Sequence, residues 1–192
     1  MLIYKGIKLK LHPQVYEPAE DTFLLAENLD VKKGDIALDM GTGTGIIALL
    51  MARKAKSVLG VDINPIAVKL ARENARLNGM GNVEFRLSDL FNNINRKFNL
   101  ITFNAPYLPG EPEELIDAAL VGGKRGREVL DRFITQAKQY LKSGGRIQIV
   151  QSSITGVEET LQKLGNLGFR AKVVARKHMF FEDIVLITAQ AK

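Results

Sequence analysis

The run Gly41-Thr42-Gly43-Thr44-Gly45 follows directly on the apolar stretch IALDM and leads into a segment of helical period. Glycines at such a strand-to-helix turn let a ligand approach the backbone at the start of a helix. A dinucleotide fingerprint would need its third glycine where Ile46 stands, and a phosphate loop would need a Lys-Ser/Thr pair that the run lacks. The turn therefore suits a small ligand without phosphates. Asp62 closes the next apolar stretch, where a carboxylate can accept hydrogen bonds from both hydroxyls of a ribose. Asp89 closes the third stretch and, with Leu90 beside it, can take an adenine amino group and cover the ring. Three strand ends thus converge on one nucleoside. Asp39 and Asp89 as turn caps, and the glycines as mere turns, would explain any one of these residues alone.

The elements that must position these residues are legible in the alternation of short apolar runs with longer helical segments after Gly34: DIALDM, GIIALLMARKA, SVLGVDI, PIAVKLARENARLNG, NVEFRLSD. That alternation is the mark of βαβ units on a parallel sheet. Ile46, Leu49, Leu50 and Arg53 follow one helical stripe; Ile66, Lys69, Leu70 and Leu77 approximate another, with Arg72, Glu73 and Arg76 outward and Gly79 as the stop. FNLITFN reads as a strand, residues 126 to 142 as a helix ending before Ser143-Gly144-Gly145, RIQIVQS as a strand and 155 to 166 as a helix. FRAKVVARKH and DIVLITAQ, joined through Met179 to Glu182, read as an antiparallel pair at the sheet edge. MLIYKGIKLKL alternates like a strand or hairpin, and Leu108 to Leu120, with Pro109, Pro112 and several acids, is the stretch expected to move.

Composition narrows the chemistry. With no cysteine, disulfides, thiol nucleophiles and cysteine-bound zinc are excluded, and His12 and His178 alone give no His-rich metal centre, so no metal and no role for either histidine is expected. No apolar run is long enough to cross a bilayer and the N-terminus lacks a secretory pattern, so a cytoplasmic protein without membrane contact is expected. The net charge of +6 is compatible with a nucleic-acid partner or simply with solubility. A length of 192 residues fits a single domain, 1–192, with 1–30 as an N-terminal extension over the site.

DMGTGTG and Asp62 together resemble the first loop and second-strand acid of class I S-adenosylmethionine-dependent methyltransferases. Asn104-Ala105-Pro106-Tyr107 resembles the Asn-Pro-Pro-Tyr motif of enzymes that methylate planar amide or exocyclic nitrogens. VYEPAEDTFLL at 15 to 25 and GGKRGREVLDRF at 122 to 133 are similar to segments of the HemK-like family, in its short archaeal and eukaryotic branch of release-factor glutamine methyltransferases. The resemblance implies an α/β, Rossmann-like fold: a seven-stranded, mostly parallel sheet with an antiparallel C-terminal edge pair and helices on both faces. It implies S-adenosylmethionine as cofactor, held by Tyr16, Glu20 and Thr22 closing over it and by Asp39, Gly41, Thr42, Gly43, Gly45, Asp62, Ile63, Asp89, Leu90 and Asn104. PAED followed by apolar residues is also an ordinary helix start.

The implied substrate is the glutamine of a Gly-Gly-Gln motif in a translation release factor, and the implied partner a small zinc-binding activator subunit covering an apolar surface. Asn104, Ala105, Pro106 and Tyr107 form the implied catalytic set. The Asn104 side-chain oxygen and the Ala105 carbonyl can accept both amide hydrogens, while Tyr107 packs on the planar group or is simply a buried tyrosine. Ala105 departs from the motif's first proline but keeps its carbonyl, and Pro106 still biases it toward an extended conformation. Lys124, Arg125 and Arg127 can meet an anionic macromolecule or stay solvated. The alternative substrate is an exocyclic amino group of adenine or guanine in RNA or DNA. A noncatalytic binding subunit of the same fold is the third reading.

Overall fold

The computed structural model describes residues 1–111, 113–114 and 116–191. Pro112 and Leu115, inside the stretch expected to move, lie outside the described residues. The chain opens with an antiparallel hairpin of β1 (Leu2–Tyr4) and β2 (Ile7–Leu9), turned by Lys5 and Gly6 at positive φ. Positive φ at both central residues matches the twist of the flanking strands. There follow α1 (Glu20–Glu27), β3 (Ile36–Met40), α2 (Ile46–Ala52), β4 (Ser57–Asp62), α3 (Pro65–Leu77), β5 (Val83–Leu87) and β6 (Phe98–Asn104). The second half holds β7 (Leu108–Pro109), β8 (Val121–Gly123), α4 (Glu128–Ala137), β9 (Leu141–Ser152), α5 (Val157–Asn166), β10 (Phe169–His178) and β11 (Asp183–Ala191).

The central sheet has seven strands in the order β10-β11-β9-β6-β3-β4-β5. Its ladders are parallel from β9 through β6, β3 and β4 to β5, and β11 runs antiparallel to both neighbours. From β3 the chain winds outward to β4 and β5, then returns to β6 on the other side. The switch point therefore lies between β3 and β6, where ligands of open α/β sheets bind beyond the strand carboxyl ends. Alternate residues of each strand face opposite layers. Ala37, Leu100 and Val150 join the core under α1, α2 and α3, while Leu38, Ile101 and Ile149 join the core under α4 and α5.

Two helix faces differ from the stripes expected. All seven residues of α2 are buried, because β2 covers its outer side, and of the expected stripe Arg53 alone is exposed, with its guanidinium on the Lys5 carbonyl. In α3 the buried face is Ala67, Val68, Leu70, Ala71, Asn74 and Ala75, while Lys69 and Leu77 are exposed. The sequence conceals the reason. The Asn74 and Asn78 amides on α3 act as strand edges: Asn78 accepts from the Lys8 N–H and donates to its carbonyl, and Asn74 does the same at Lys10. The helix expected at 126–142 is α4 followed by a 3-10 turn at Lys138–Tyr140, and α5 starts after a 3-10 turn at Ser153–Thr155. Among the described residues no helix is long and apolar enough to cross a membrane.

Candidate functional site

The site begins with a turn that only glycine adopts easily. Gly41, Gly43 and Gly45 have φ of 63°, 52° and 85°, values at which a Cβ is strained. The Asp39 carboxylate, fully buried at the end of β3, accepts from Thr42 Oγ1 at 2.7 Å and Thr102 Oγ1 at 2.9 Å, which ties the turn to β3 and β6. Burial pushes the Asp39 carboxyl up to about 6, against the two hydroxyl hydrogen bonds. The Thr42 N–H reaches the Val61 carbonyl at 2.9 Å, and the Gly43 N–H reaches Asp62 Oδ2 at 2.8 Å. Gly60, in mid-strand β4, makes this approach possible: a Cβ there would stand 2.5 Å from the Phe85 ring and 2.8 Å from Thr42 Oγ1. Gly60 is not among the residues expected at the site, although a lone glycine inside an apolar strand is a signal of close backbone approach.

Around the turn opens a cavity of about 240 Å³, lined among others by Asp39, Gly41, Thr42, Gly43, Asp62, Ile63, Asp89, Leu90 and Asn104. Tyr16, Thr22 and Pro106 also line it. The strand ends that the sequence pointed to therefore meet. Asp62 holds one backbone N–H on each oxygen, from Gly43 and from Asn64 at 2.9 Å, and each oxygen keeps a lone pair for another donor. Burial raises its carboxyl above the ordinary carboxylate range despite these bonds. Asp89 stands at the rim, its Oδ2 accepting from Arg132 at 2.7 Å, and Leu90 is buried with φ of 46°.

Two residues expected at the cofactor are placed elsewhere. Gly45 is absent from the cavity wall; it caps α2 and packs against Ala71 and Phe85, where a Cβ would meet atoms at 3.1 and 3.3 Å. Glu20 turns outward to an exposed ion pair with Lys177 at 3.1 Å. The neighbouring acid Asp21, not among the residues expected from the sequence, is the one turned inward. It accepts from the Thr22 N–H at 2.6 Å, the Tyr16 hydroxyl at 3.2 Å and Asn104 Nδ2 at 3.0 Å. Burial, then the Asp21 carboxylate, raises the Tyr16 phenol, which stays protonated.

These contacts fix the Asn104 amide. Nδ2 faces Asp21 and, at 3.4 Å, Thr22 Oγ1, whereas Oδ1 is buried without a hydrogen-bond partner. A buried carbonyl oxygen with no donor is costly unless a ligand supplies one. The next residue, Ala105, is buried outside the cavity wall, and its N–H donates to the Val150 carbonyl at 3.2 Å. Proline could not make that bond, so the departure from the motif exchanges a ring restraint for a ladder bond to β9. Tyr107 is half-buried, packs with Met179 against the α1-side core, and is also outside the cavity wall. Burial, then Asp21 and Glu182, pushes its phenol up to about 12, so it stays neutral and is no base at neutral pH.

Of the three cations in the basic run, Lys124 and Arg125 are exposed beside Glu111 and Glu128, but Arg127 is only 3% exposed and cannot meet an external polyanion. His12 accepts from the Gln14 N–H, and His178 pairs with Asp183 at 2.8 Å; neither lines the cavity.

A cavity at the switch point, lined by the glycine turn, Asp62 and Asn104, suits a group-transfer enzyme of the methyltransferase class. The chain belongs to the methyltransferase small domain family, whose model matches residues 13–181. It is 55% identical, over 96% of both chains, to a Methanocaldococcus jannaschii protein that carries the provisional name protein N5-glutamine methyltransferase. It is 34% identical to the Mus musculus methyltransferase HEMK2, over 81% of this chain and 80% of that one. Among solved structures it is similar to the E. cuniculi Mtq2-Trm112 complex, described as responsible for methylation of the eRF1 translation termination factor. That likeness has a TM-score of 0.77 at 25% identity, covering 93% of this chain and 99% of the other.

Proposed function

We propose that this chain transfers the methyl group of S-adenosylmethionine to the side-chain amide nitrogen of a glutamine, the one in the Gly-Gly-Gln motif of a translation release factor. The observation that carries the reading is the Asn104 amide, locked by Asp21 with Oδ1 buried and unpartnered. The residues present fit the donor. A side chain added at Gly43 would meet nothing within 4 Å, which leaves room against the turn, and Asp62 retains acceptor capacity for a diol. Glycine turn, Asp62, Ile63, Asp89 and Leu90 would hold it. When bound, S-adenosylmethionine supplies an electrophilic methyl group on a sulfonium sulfur.

What remains for the chain is orientation. An amide nitrogen is a poor nucleophile because its lone pair is delocalised into the carbonyl. Asn104 Oδ1 accepting one N–H, and the Ala105 carbonyl the other, would aim that lone pair and draw electron density onto nitrogen. Pro106, in the cavity wall, shields the amide from water. Residues 1–30 act in this reading as an extension of a single domain, since α1 carries the Asp21 that sets Asn104. A small zinc-binding activator subunit belongs to the same reading, supported by the E. cuniculi neighbour having been solved with Trm112. The setting is the cytoplasm, where translation terminates.

The test is transfer of labelled methyl from S-adenosylmethionine to purified release factor and, separately, to total RNA and DNA, with and without the activator. Label on the Gly-Gly-Gln glutamine, lost in Asn104→Ala, is the expected result. Label on nucleic acid alone would overturn the glutamine assignment.

A further inference from the structure

The glycine-rich basic run at 122–127 has no place in donor binding, yet it touches the Asn104–Tyr107 loop more closely than any side chain could. A Cβ on Gly122 would stand 2.5 Å from the Pro106 carbonyl oxygen and would also collide with the Gly126 carbonyl. One on Gly126, at φ of 74°, would collide with the Tyr107 carbonyl oxygen. Only bare backbone fits against bare backbone here. The Tyr107 and Leu108 N–H groups both donate to the Leu120 carbonyl, at 3.0 and 2.7 Å, and complete the contact.

Arg127 fastens this turn to the rest of the molecule. Its guanidinium makes a bidentate pair with Asp131 at 3.0 and 3.1 Å, and Nη1 donates to the carbonyls of Thr155 at 2.6 Å and Gly156 at 3.1 Å. Those carbonyls lie just past the end of β9, the strand whose Val150 carbonyl receives the Ala105 N–H. The planar, always-charged fork suits such a buried junction, and lysine cannot reproduce it.

We propose that Gly122, Gly126 and Arg127 form a clamp that positions the Asn104–Tyr107 loop for methyl transfer, with Arg127 a positioning residue that touches neither substrate nor donor. The catalytic consequence rests on the function proposed above; the restraint on the loop does not.

Hydrogen–deuterium exchange and steady-state kinetics on the full chain, for Arg127→Lys, Arg127→Gln and Gly126→Ala, separate the two. The expected result is faster exchange at the Tyr107 and Leu108 amides, with β3 and β4 protection unchanged. kcat falls about 10²-fold in Arg127→Gln and Gly126→Ala, the scale of a displaced reacting group, with the donor KM within about twofold. Arg127→Lys should recover part of both signals. Unchanged exchange at Tyr107 and Leu108 in all three variants would overturn the clamp. So would a loss of donor affinity and of β3 and β4 protection that accounts for the whole loss of rate. If the wild type methylates no glutamine while the exchange changes appear, the clamp stands and the substrate assignment fails.

Discussion

The two halves of the cavity are built differently. The donor half is built mostly within the first βαβ stretch: Thr42 closes on Asp39 three residues away and Gly43 on Asp62 nineteen residues away, with a remote tie from Thr102 on β6. The acceptor half depends on a more remote segment: Asn104 is oriented by Asp21, 83 residues away, and the loop after it is held by β9 and, from nearer in the chain, by the turn at 122–127. A local half can be specified by a short motif and tolerates changes elsewhere. A remote half exists only when the whole sheet is in register, so its function is exposed to substitutions far from the chemistry.

Variants can break that contrast in order of size. Asn104→Ala should lower kcat by about 10³-fold, the scale seen when a preorganised polar group facing the reacting atoms is removed. The donor Kd, measured by calorimetry, should stay within a fewfold; an equal loss in both would mean that the halves are not separable. Asp62→Asn should do the reverse, weakening donor binding by roughly 10–100-fold through loss of charged hydrogen bonds, with kcat at saturating donor much less affected.

Asp21→Asn should lower kcat by roughly tenfold or more, because its amide can present a donor as easily as an acceptor and Asn104 loses its fixed orientation. Donor binding should barely change. Ala105→Pro removes the N–H that reaches Val150 but restricts φ, so less than about a tenfold change in kcat is expected. A large loss there would show that the ladder bond to β9, rather than the loop's own stiffness, holds the carbonyl in place.

Asp39 bears on stability rather than rate, and so sharpens the local half. Its folded carboxyl titrates near 6 against an ordinary value of 3.8. The folded state thus holds the proton more tightly, and this contribution to stability is present below pH 3.8 and lost as pH rises through 6. Chemical denaturation as a function of pH should show the wild type losing stability over that window relative to Asp39→Asn, and a constant difference above it.

The same contrast governs what was legible in the sequence. The alternation of strands and helices, the glycine turn, Asp62 and the Asn-x-Pro-Tyr loop could be read because each is a local pattern. The seven-stranded sheet with β11 antiparallel bears out the expected architecture. Helix phase was less readable. PAED offers two adjacent acids, and only the docking of α1 sends Asp21 to Asn104 and Glu20 to Lys177. The burial of all of α2 depends on a hairpin forty residues upstream in the chain order, and the inward turn of Arg127 on carbonyls at 155 and 156. Gly45 sat within the right motif, but its lack of a side chain serves packing against α3 rather than the ligand.

The central claim is that Asp21 acts on catalysis only through the Asn104 amide. A double-mutant cycle of Asp21→Asn and Asn104→Ala, read as kcat for methyl transfer to release factor at saturating donor, tests it most directly. In the Asn104→Ala background the change at Asp21 should cost less than about twofold. Independent, multiplying losses would contradict the account.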